Sequence, residues 1–419
     1  MNASLEERHM IINIINGNVL DPVAGEIIGE RSIVVENDVI VDVLEGQPSV
    51  KPDLEIDAHG RYVLPGFIDA HVHLSMTTMN FGRALRLSEV EWSLAMAGLA
   101  EATIQRGFTT VRDTGGAIGG LVRAVQSGLC RGPRIVRSGR VLSQTGGHGD
   151  TRPQDVPLPG CGCELVSSRF SHIADGPDAV RKAARHELRE GSDFLKIMTS
   201  GGVASPSDPF DSIQYTAEEV KAITIEAEHR HTYVTAHAYS PEAIHLAVDH
   251  GVRCIEHGNL LDETTAKHLV SLGVTMVPTL STYRAMGELG AKFGMSERNL
   301  EKNRGVFEAG QRSIDIARRE GVELGFGTDL LGEAQVRQNQ EFSIRADLES
   351  AADVLHSMYV VNPRLCGLEG KIGLIQPGAY ADLLISEVNP IEDLSRLSEP
   401  EPNLSVIISA GKVVKEILG

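Results

Sequence analysis

The chain has 419 residues, 42% of them hydrophobic, enough to bury a large core and too apolar for wholesale disorder. Its 57 acidic and 39 basic side chains give a formal net charge of −18, and no clustered Lys/Arg stripe offsets that field, so nucleic acid is excluded as an expected partner. No apolar run is long enough to span a bilayer, and Glu6, Glu7 and Arg8 stand where a secretory signal would place its apolar stretch, so no membrane role is expected.

From Met10 to Val63 the pattern is one of short strands with little helix signal. Ile11–Ile15 and Ser32–Val35 are separated by Asn16-Gly17-Asn18 and by the Asp21-Pro22 turn signal. The middle of the chain alternates strand and helix. Thr216 with Glu219 forms a capping box for a helix running to about His229. Ser240-Pro241 starts another helix, which Gly251 stops. Glycines 107, 132, 251, 273 and 321 each stand between a helical stretch and an apolar segment, where a left-handed residue ends a helix. Repeated βα units over roughly 300 residues predict parallel strands, with an eight-fold (β/α)8 TIM barrel as the economical closure. No glycine-rich phosphate fingerprint follows an early strand to favour an open doubly wound sheet. Near the C-terminus, Gly378–Ile385, Leu404–Ile408 and Val413-Val414 are again β-rich. The two ends are therefore expected to share one small β-sandwich domain (residues 1–65 plus 370–419), with the barrel at 66–369.

The five cysteines (Cys130, Cys161, Cys163, Cys254 and Cys366) form no even framework, and Cys161-Gly-Cys163 is too tight for the usual zinc knuckle. A reducing, cytoplasmic compartment is the expectation.

Chemistry concentrates where strands should end. His71 and His73 flank Val72 after the apolar Val63–Ile68 run. On a strand, residues two apart face the same side, so both imidazoles converge on one point, suited to a divalent cation. Lys196 lies inside the apolar Phe194–Met198. There an amine must snorkel, pair, or lose its charge, and a neutral amine can take up CO₂ as a carbamate. His237, His257 and Asp329 each close a further predicted strand. Singly, such residues are often packed histidines or helix caps. Together with His71, His73 and Lys196 they fall on the rim where barrel active sites sit.

This set resembles the amidohydrolase superfamily: His-x-His, a lysine on the fourth strand, histidines on the fifth and sixth, and an aspartate after the eighth. Gly66–Leu74 matches the family's opening motif, and Gly370–Leu383 resembles the segment that returns its chain to the β-sandwich. The resemblance implies two divalent metal ions, with zinc expected from the mixed imidazole and carboxylate donors. It makes His71 and His73 ligands of the more buried ion and His237 and His257 ligands of the more exposed one. N-carboxylated Lys196 would bridge the pair. Asp329 would bind the buried ion and serve as general acid and base for a bridging hydroxide.

Within the superfamily, Thr145–Asp150, Met198–Gly202 and Ile255–Gly258 resemble the imidazolonepropionase-like branch and its dipeptidases. Lys196 departs from the mononuclear imidazolonepropionase pattern and favours the binuclear dipeptidases. A dipeptide-like substrate of the Xaa-Pro (prolidase) type is expected. Release of C-terminal Lys or Arg, hydrolysis of cyclic amides or N-acyl amino acids, and a non-catalytic binding module are the alternatives. Tyr239, two residues past His237, could bind a substrate carboxylate or the oxyanion. His148, in a glycine-rich loop, and Arg152 just beyond are further candidate contacts with the carbonyl or carboxylate. The family likeness also implies a homo-oligomer.

Overall fold

The computed structural model describes residues 9–84, 86–152, 167–203 and 208–418. Five strands come first: β1 (Ile11–Asp21), β2 (Glu26–Glu36), β3 (Val39–Leu44), β4 (Leu54–Asp57) and β5 (Tyr62–Pro65). The middle holds β6 (Phe67–Val72), β7 (Phe108–Asp113), β8 (Arg134–Arg137), β9 (Val141–Ser143), β10 (Ser171–Ile173), β11 (Leu195–Met198), β12 (Val234–Ala238), β13 (Cys254–His257) and β14 (Thr275–Val277). The last three are β15 (Leu383–Ser386), β16 (Leu404–Ser409) and β17 (Lys412–Glu416).

The chain ends share a mixed sheet in the order β17-β16-β15-β5-β1-β2-β3, with β4 also paired to β1. One set of its side chains, including Ile14, Ile33, Val63, Leu383 and Ile408, closes a core of its own. The alternate residues Leu64, Leu384 and Ile407 pack instead with barrel residues such as Phe67 and Phe108. This period-two division places the sheet against the barrel and leads β5 directly into β6 through Gly66. A Cβ at Gly66 would lie 2.0 Å from Thr109 Oγ1, so only glycine fits at this corner.

The parallel strands fall into two runs, β6-β7-β8 and β9-β11-β12-β13-β14, with β10 beside β9. Backbone hydrogen bonds join them into a ring. Asp193 N donates to Arg137 O at 2.8 Å, linking β8 to the entry of β11. On the far side, residues 322–329 run extended between β14 and β6, with Gly325 N donating to Met276 O and Ala70 N to Phe326 O, both at 2.8 Å. Counting β8 and β9, three residues apart, as one stave and this segment as the eighth, the fold is the expected α/β barrel plus a mixed N- and C-terminal sheet. Helices between the staves start as read from sequence. The capping box of Thr216 and Glu219 opens Ala217–His229, and Ser240 caps Pro241–Asp249. Gly273 (φ 63°) and Gly321 (φ 85°) are left-handed helix ends.

Four local expectations are corrected. Asn16-Gly17-Asn18 is not a turn: β1 runs through it, with Asn16 at φ 56° and a register shift between Ile14 and Gly17 that marks a bulge. The reversal comes at Asp21, whose carboxylate accepts from Val23 and Ala24 N–H. Gly132 does not end a helix in the left-handed region. Gly128 (φ 73°) has that conformation after Gly119–Gln126, and Gly132 is small because a Cβ would meet Ala100 at 2.9 Å. The C-terminal strand begins at Leu383 rather than near Gly378, since Gly378 (φ 90°) belongs to the preceding turn. Finally, the stretch before Asp329 is extended but bridges its neighbours at isolated points, with Met276 opposite Leu324. Cys254 and Cys366 are buried free thiols and Cys130 is half-buried and free; Cys161 and Cys163 lie outside the described residues. Among the described residues no helix is long and apolar enough to cross a membrane.

Candidate metal centre

His71, the fifth residue of β6, and His73 just past its end bring their Nε2 atoms to 3.3 Å from each other. Asp329 Oδ1 lies 3.4 Å from His71 Nε2 and 3.1 Å from His73 Nε2. Strand register supplies the rest. Met198 of β11 sits beside His237 of β12, and Ala238 beside His257 of β13, so Lys196, His237 and His257 occupy adjacent staves. The His71 and His257 rings are 4.8 Å apart, and the His237 and His257 rings 4.6 Å. Donor atoms of His71, His257 and Asp329 all lie within 4.8 Å of one another. The six sequence-expected ligand candidates therefore line one cavity at the strand ends: His71, His73, Lys196, His237, His257 and Asp329.

Two backbone irregularities make this convergence possible. His257 has φ 74° and Asp329 φ 52°, in the left-handed region that side chains rarely adopt. The twist at His257 is why it and its neighbour Glu256, which a regular strand would send to opposite faces, both reach the interior. Asp329 is fixed from below by Asp69. Thr328 Oγ1 and Gln338 Nε2 donate to Asp69 Oδ2 at 2.6 and 2.8 Å, and Asp329 N donates to His71 O at 2.8 Å.

Each imidazole is held by one nitrogen, which leaves the other for the cavity. His71 Nδ1 donates to Glu256 Oε2 at 2.7 Å, and His73 Nδ1 to the Gly115 carbonyl at 3.1 Å, so Nε2 carries the lone pair in both. His237 is reversed. Its Nε2 donates to the Gly201 carbonyl at 2.9 Å, which leaves Nδ1 as its donor atom. His257 Nδ1 lies 2.8 Å from Thr279 Oγ1.

Burial lowers the pKa of His237 and His257 well below the ordinary histidine value, and neighbouring cationic groups add to the effect, so both rings favour the neutral form. For His71 burial and Lys196 oppose protonation, but Glu256 and Asp329 outweigh them and raise its pKa. Burial likewise brings Lys196 down to about 8. Its amine lines the cavity without a hydrogen bond among the described residues. Burial works against the Asp329 carboxylate too, yet His71 and His73 hold its pKa well below the usual range. Imidazoles that each aim one ring nitrogen into the cavity, an ionised carboxylate and a buried amine together fit divalent metal.

The flanking candidates divide. His148 stacks on His237 with ring centroids 4.3 Å apart and its Nδ1 3.6 Å from Asp208 Oδ2, and it lines the cavity. Tyr239 packs against His237 and His257, and its hydroxyl is 2.9 Å from that of Tyr283. Arg152 donates from Nε to Asp150 Oδ1 at 2.6 Å and lines a separate hollow with Thr145, His172 and Asp175.

Sequence reasoning assigned no role to Glu256, Arg112, Asp69 or Asp113. Glu256 is fully buried, accepts from Arg112 and Thr235, and orients His71. Asp113 accepts from Leu74 N at 2.7 Å and from the Gly115 and Ala117 N–H groups, which fixes the loop beyond His73. The detectable signal was charge in places that should be apolar: Arg112 and Asp113 within β7, and Glu256 within β13.

The fold and this site define a metal-dependent hydrolase. The amidohydrolase family model matches residues 62–414, and the chain belongs to that family. A solved structure described as an amidohydrolase is 42% identical with a TM-score of 0.94, covering 98% of this chain and 100% of its own. A prolidase solved in complex with N-methylphosphonate-L-proline is 41% identical with a TM-score of 0.93, covering 97% of this chain and 100% of its own. Ochratoxinase from Aspergillus niger is 26% identical over 96% of this chain and 87% of its own length.

Proposed function

We propose that this enzyme hydrolyses the peptide bond of Xaa-Pro dipeptides. The observation that carries the reading is whole-length similarity, at 41% identity, to a prolidase that binds a phosphonate analogue bearing L-proline. The cavity is compatible with it. Among the described residues lining it, Asp329 is the sole carboxylate, so a substrate Lys or Arg side chain would find no counter-charge there. That disfavours a basic-residue carboxypeptidase.

In this reading His71, His73 and Asp329 would hold one divalent ion and His237 and His257 a second, and Lys196, as its carbamate, would be a further ligand. The ions, zinc by their donor set, supply Lewis-acid polarisation of the scissile carbonyl and an acidified water. The chain's own residues do the rest. The Lys196 amine, its pKa lowered by burial to about 8, adds to CO₂ in its unprotonated form and releases a proton. Asp329, ionised and within reach of both β6 histidines, takes the proton from the attacking water and returns it to the leaving proline nitrogen. Glu256 and Gly115 keep His71 and His73 in the tautomer that offers Nε2 inward. His148, which lines the cavity stacked on His237, and Tyr239, tilted against the same ring, would contact the substrate carbonyl or carboxylate. Arg152 is given no part. We place the domain division at residues 1–65 plus 370–419 for the sheet and 66–369 for the barrel, because the sheet closes a core of its own.

The test is release of free amino acids from Xaa-Pro, Xaa-Lys/Arg and Xaa-Leu dipeptide mixtures by enzyme reconstituted with Zn²⁺ and bicarbonate. Selective proline release is expected. Release of Lys or Arg instead would replace the specificity reading while leaving the site chemistry intact.

A further inference from the structure

The helices Pro241–Asp249 and Glu263–Leu272 follow the strands bearing His237 and His257 and pack side by side on the barrel exterior. Three side chains meet across them. His245 and Asp249 are one helical turn apart on the first helix, and His268 faces them from the second. One donor atom from each lies within 4.8 Å of the other two. His268 Nε2 is 2.6 Å from Asp249 Oδ1, and His245 Nδ1 is 4.0 Å from Asp249 Oδ2. The two imidazoles stack at 4.7 Å with planes 20° apart, so both rings address the same carboxylate.

A carboxylate needs only one imidazole to complete an ion pair, and the second ring is held as deliberately as the first. Its far nitrogen, His245 Nε2, lies 3.3 Å from Thr265 Oγ1, which leaves Nδ1 facing Asp249. Thr265 is itself anchored, its backbone N–H donating to Asp262 Oδ1 at 2.7 Å. This repeats the arrangement around the catalytic histidines, where one ring nitrogen is engaged and the other offered. The side chains of His245, Asp249 and His268 retain 36%, 47% and 30% of their surface, so water can complete a coordination shell.

We propose that His245, Asp249 and His268 form a second metal site, for a divalent first-row transition cation, that clamps these two helices together. Two imidazoles and one carboxylate suit Zn²⁺, Cu²⁺ or Ni²⁺ and are poor ligands for Mg²⁺ or Ca²⁺. Zinc bonds of about 2.0–2.1 Å place neighbouring donors roughly 3.3 Å apart, so the rings close by on the order of 1 Å on binding. The site shares no residue with the catalytic centre, and its existence is independent of the substrate assigned there.

The experiment titrates Cu²⁺ into enzyme whose catalytic centre is already loaded with zinc, following bound copper by equilibrium dialysis and by nitrogen hyperfine splitting in electron paramagnetic resonance. The expected result is one further equivalent of copper with imidazole coupling and a raised thermal midpoint. His268→Ala and, separately, Asp249→Asn weaken that equivalent at least tenfold and abolish the midpoint shift, while the zinc content of the catalytic centre is unchanged. Circular dichroism checks that each variant is folded. Absence of the extra equivalent in the wild-type protein, or its retention at full affinity in either folded variant, overturns the proposal.

Discussion

Asp329 is the residue on which the proposed chemistry turns, and its carboxylate is held ionised by His71 and His73 although burial opposes the charge. Asp329→Asn is expected to lower kcat by roughly 10²–10⁴-fold, the range for a lost general acid–base group, with little change in the circular dichroism spectrum. An asparagine variant of undiminished kcat would remove Asp329 from the mechanism. Glu256 gives a different prediction. It is buried against Arg112, Thr235 and His71, so Glu256→Gln leaves the Arg112 charge without its partner and should cost about 3–5 kcal/mol in denaturant unfolding. The same variant loosens His71, and metal affinity should fall roughly 10–100-fold. At this scale the residues that line the cavity were legible because His-x-His and strand-end placement follow from a two-residue repeat. Glu256 was not legible, because that repeat sends it away from His257; only the positive φ of His257 brings both inside.

Between elements, the eighth stave is held by close backbone approach. A Cβ at Gly327 would lie 2.6 Å from Val277 Cγ1 and 2.8 Å from His71 Cβ, so Gly327→Ala should push the segment outward, displace Asp329, and cost about 1–3 kcal/mol of stability. Thermal unfolding and metal content of that variant, measured together, check both effects. Glu341, on the helix Gln340–Ala346, receives the backbone N–H groups of Leu280 and Ser281 at the start of the next-packed helix, and burial raises its pKa from 4.5 to about 7. Its folded-state pKa lies above the unfolded value. The stability it contributes is therefore fully present below about pH 4.5 and is lost as pH rises through 7, to the extent of about 3 kcal/mol. Glu341→Gln should flatten the unfolding free energy across that window; an unchanged slope would contradict the assignment. Helix starts were readable from sequence because Thr216, Glu219 and Ser240 cap locally. The eighth stave was read as an ordinary strand because its apolar pattern says nothing about how few ladder bonds it makes.

For the whole molecule, alternation of βα units was enough to anticipate a barrel, and β-rich ends were enough to anticipate a shared terminal sheet. The division of that sheet's two faces between its own core and the barrel was not visible, since Leu64 and Val63 are equally apolar neighbours with opposite destinations. Nor could sequence show that Arg152 folds back on Asp150, because a guanidinium in a glycine-rich loop has several partners within reach. These parts assemble a metal-dependent hydrolase, and its proposed centre includes Lys196. The most direct measurement is Xaa-Pro turnover by chelator-stripped enzyme before and after addition of Zn²⁺ and bicarbonate, alongside Lys196→Ala treated identically. The expected result is no turnover when stripped, recovery of the wild type on reconstitution, and no comparable recovery of the lysine variant. Full turnover by the stripped protein, or full recovery of Lys196→Ala, would contradict it.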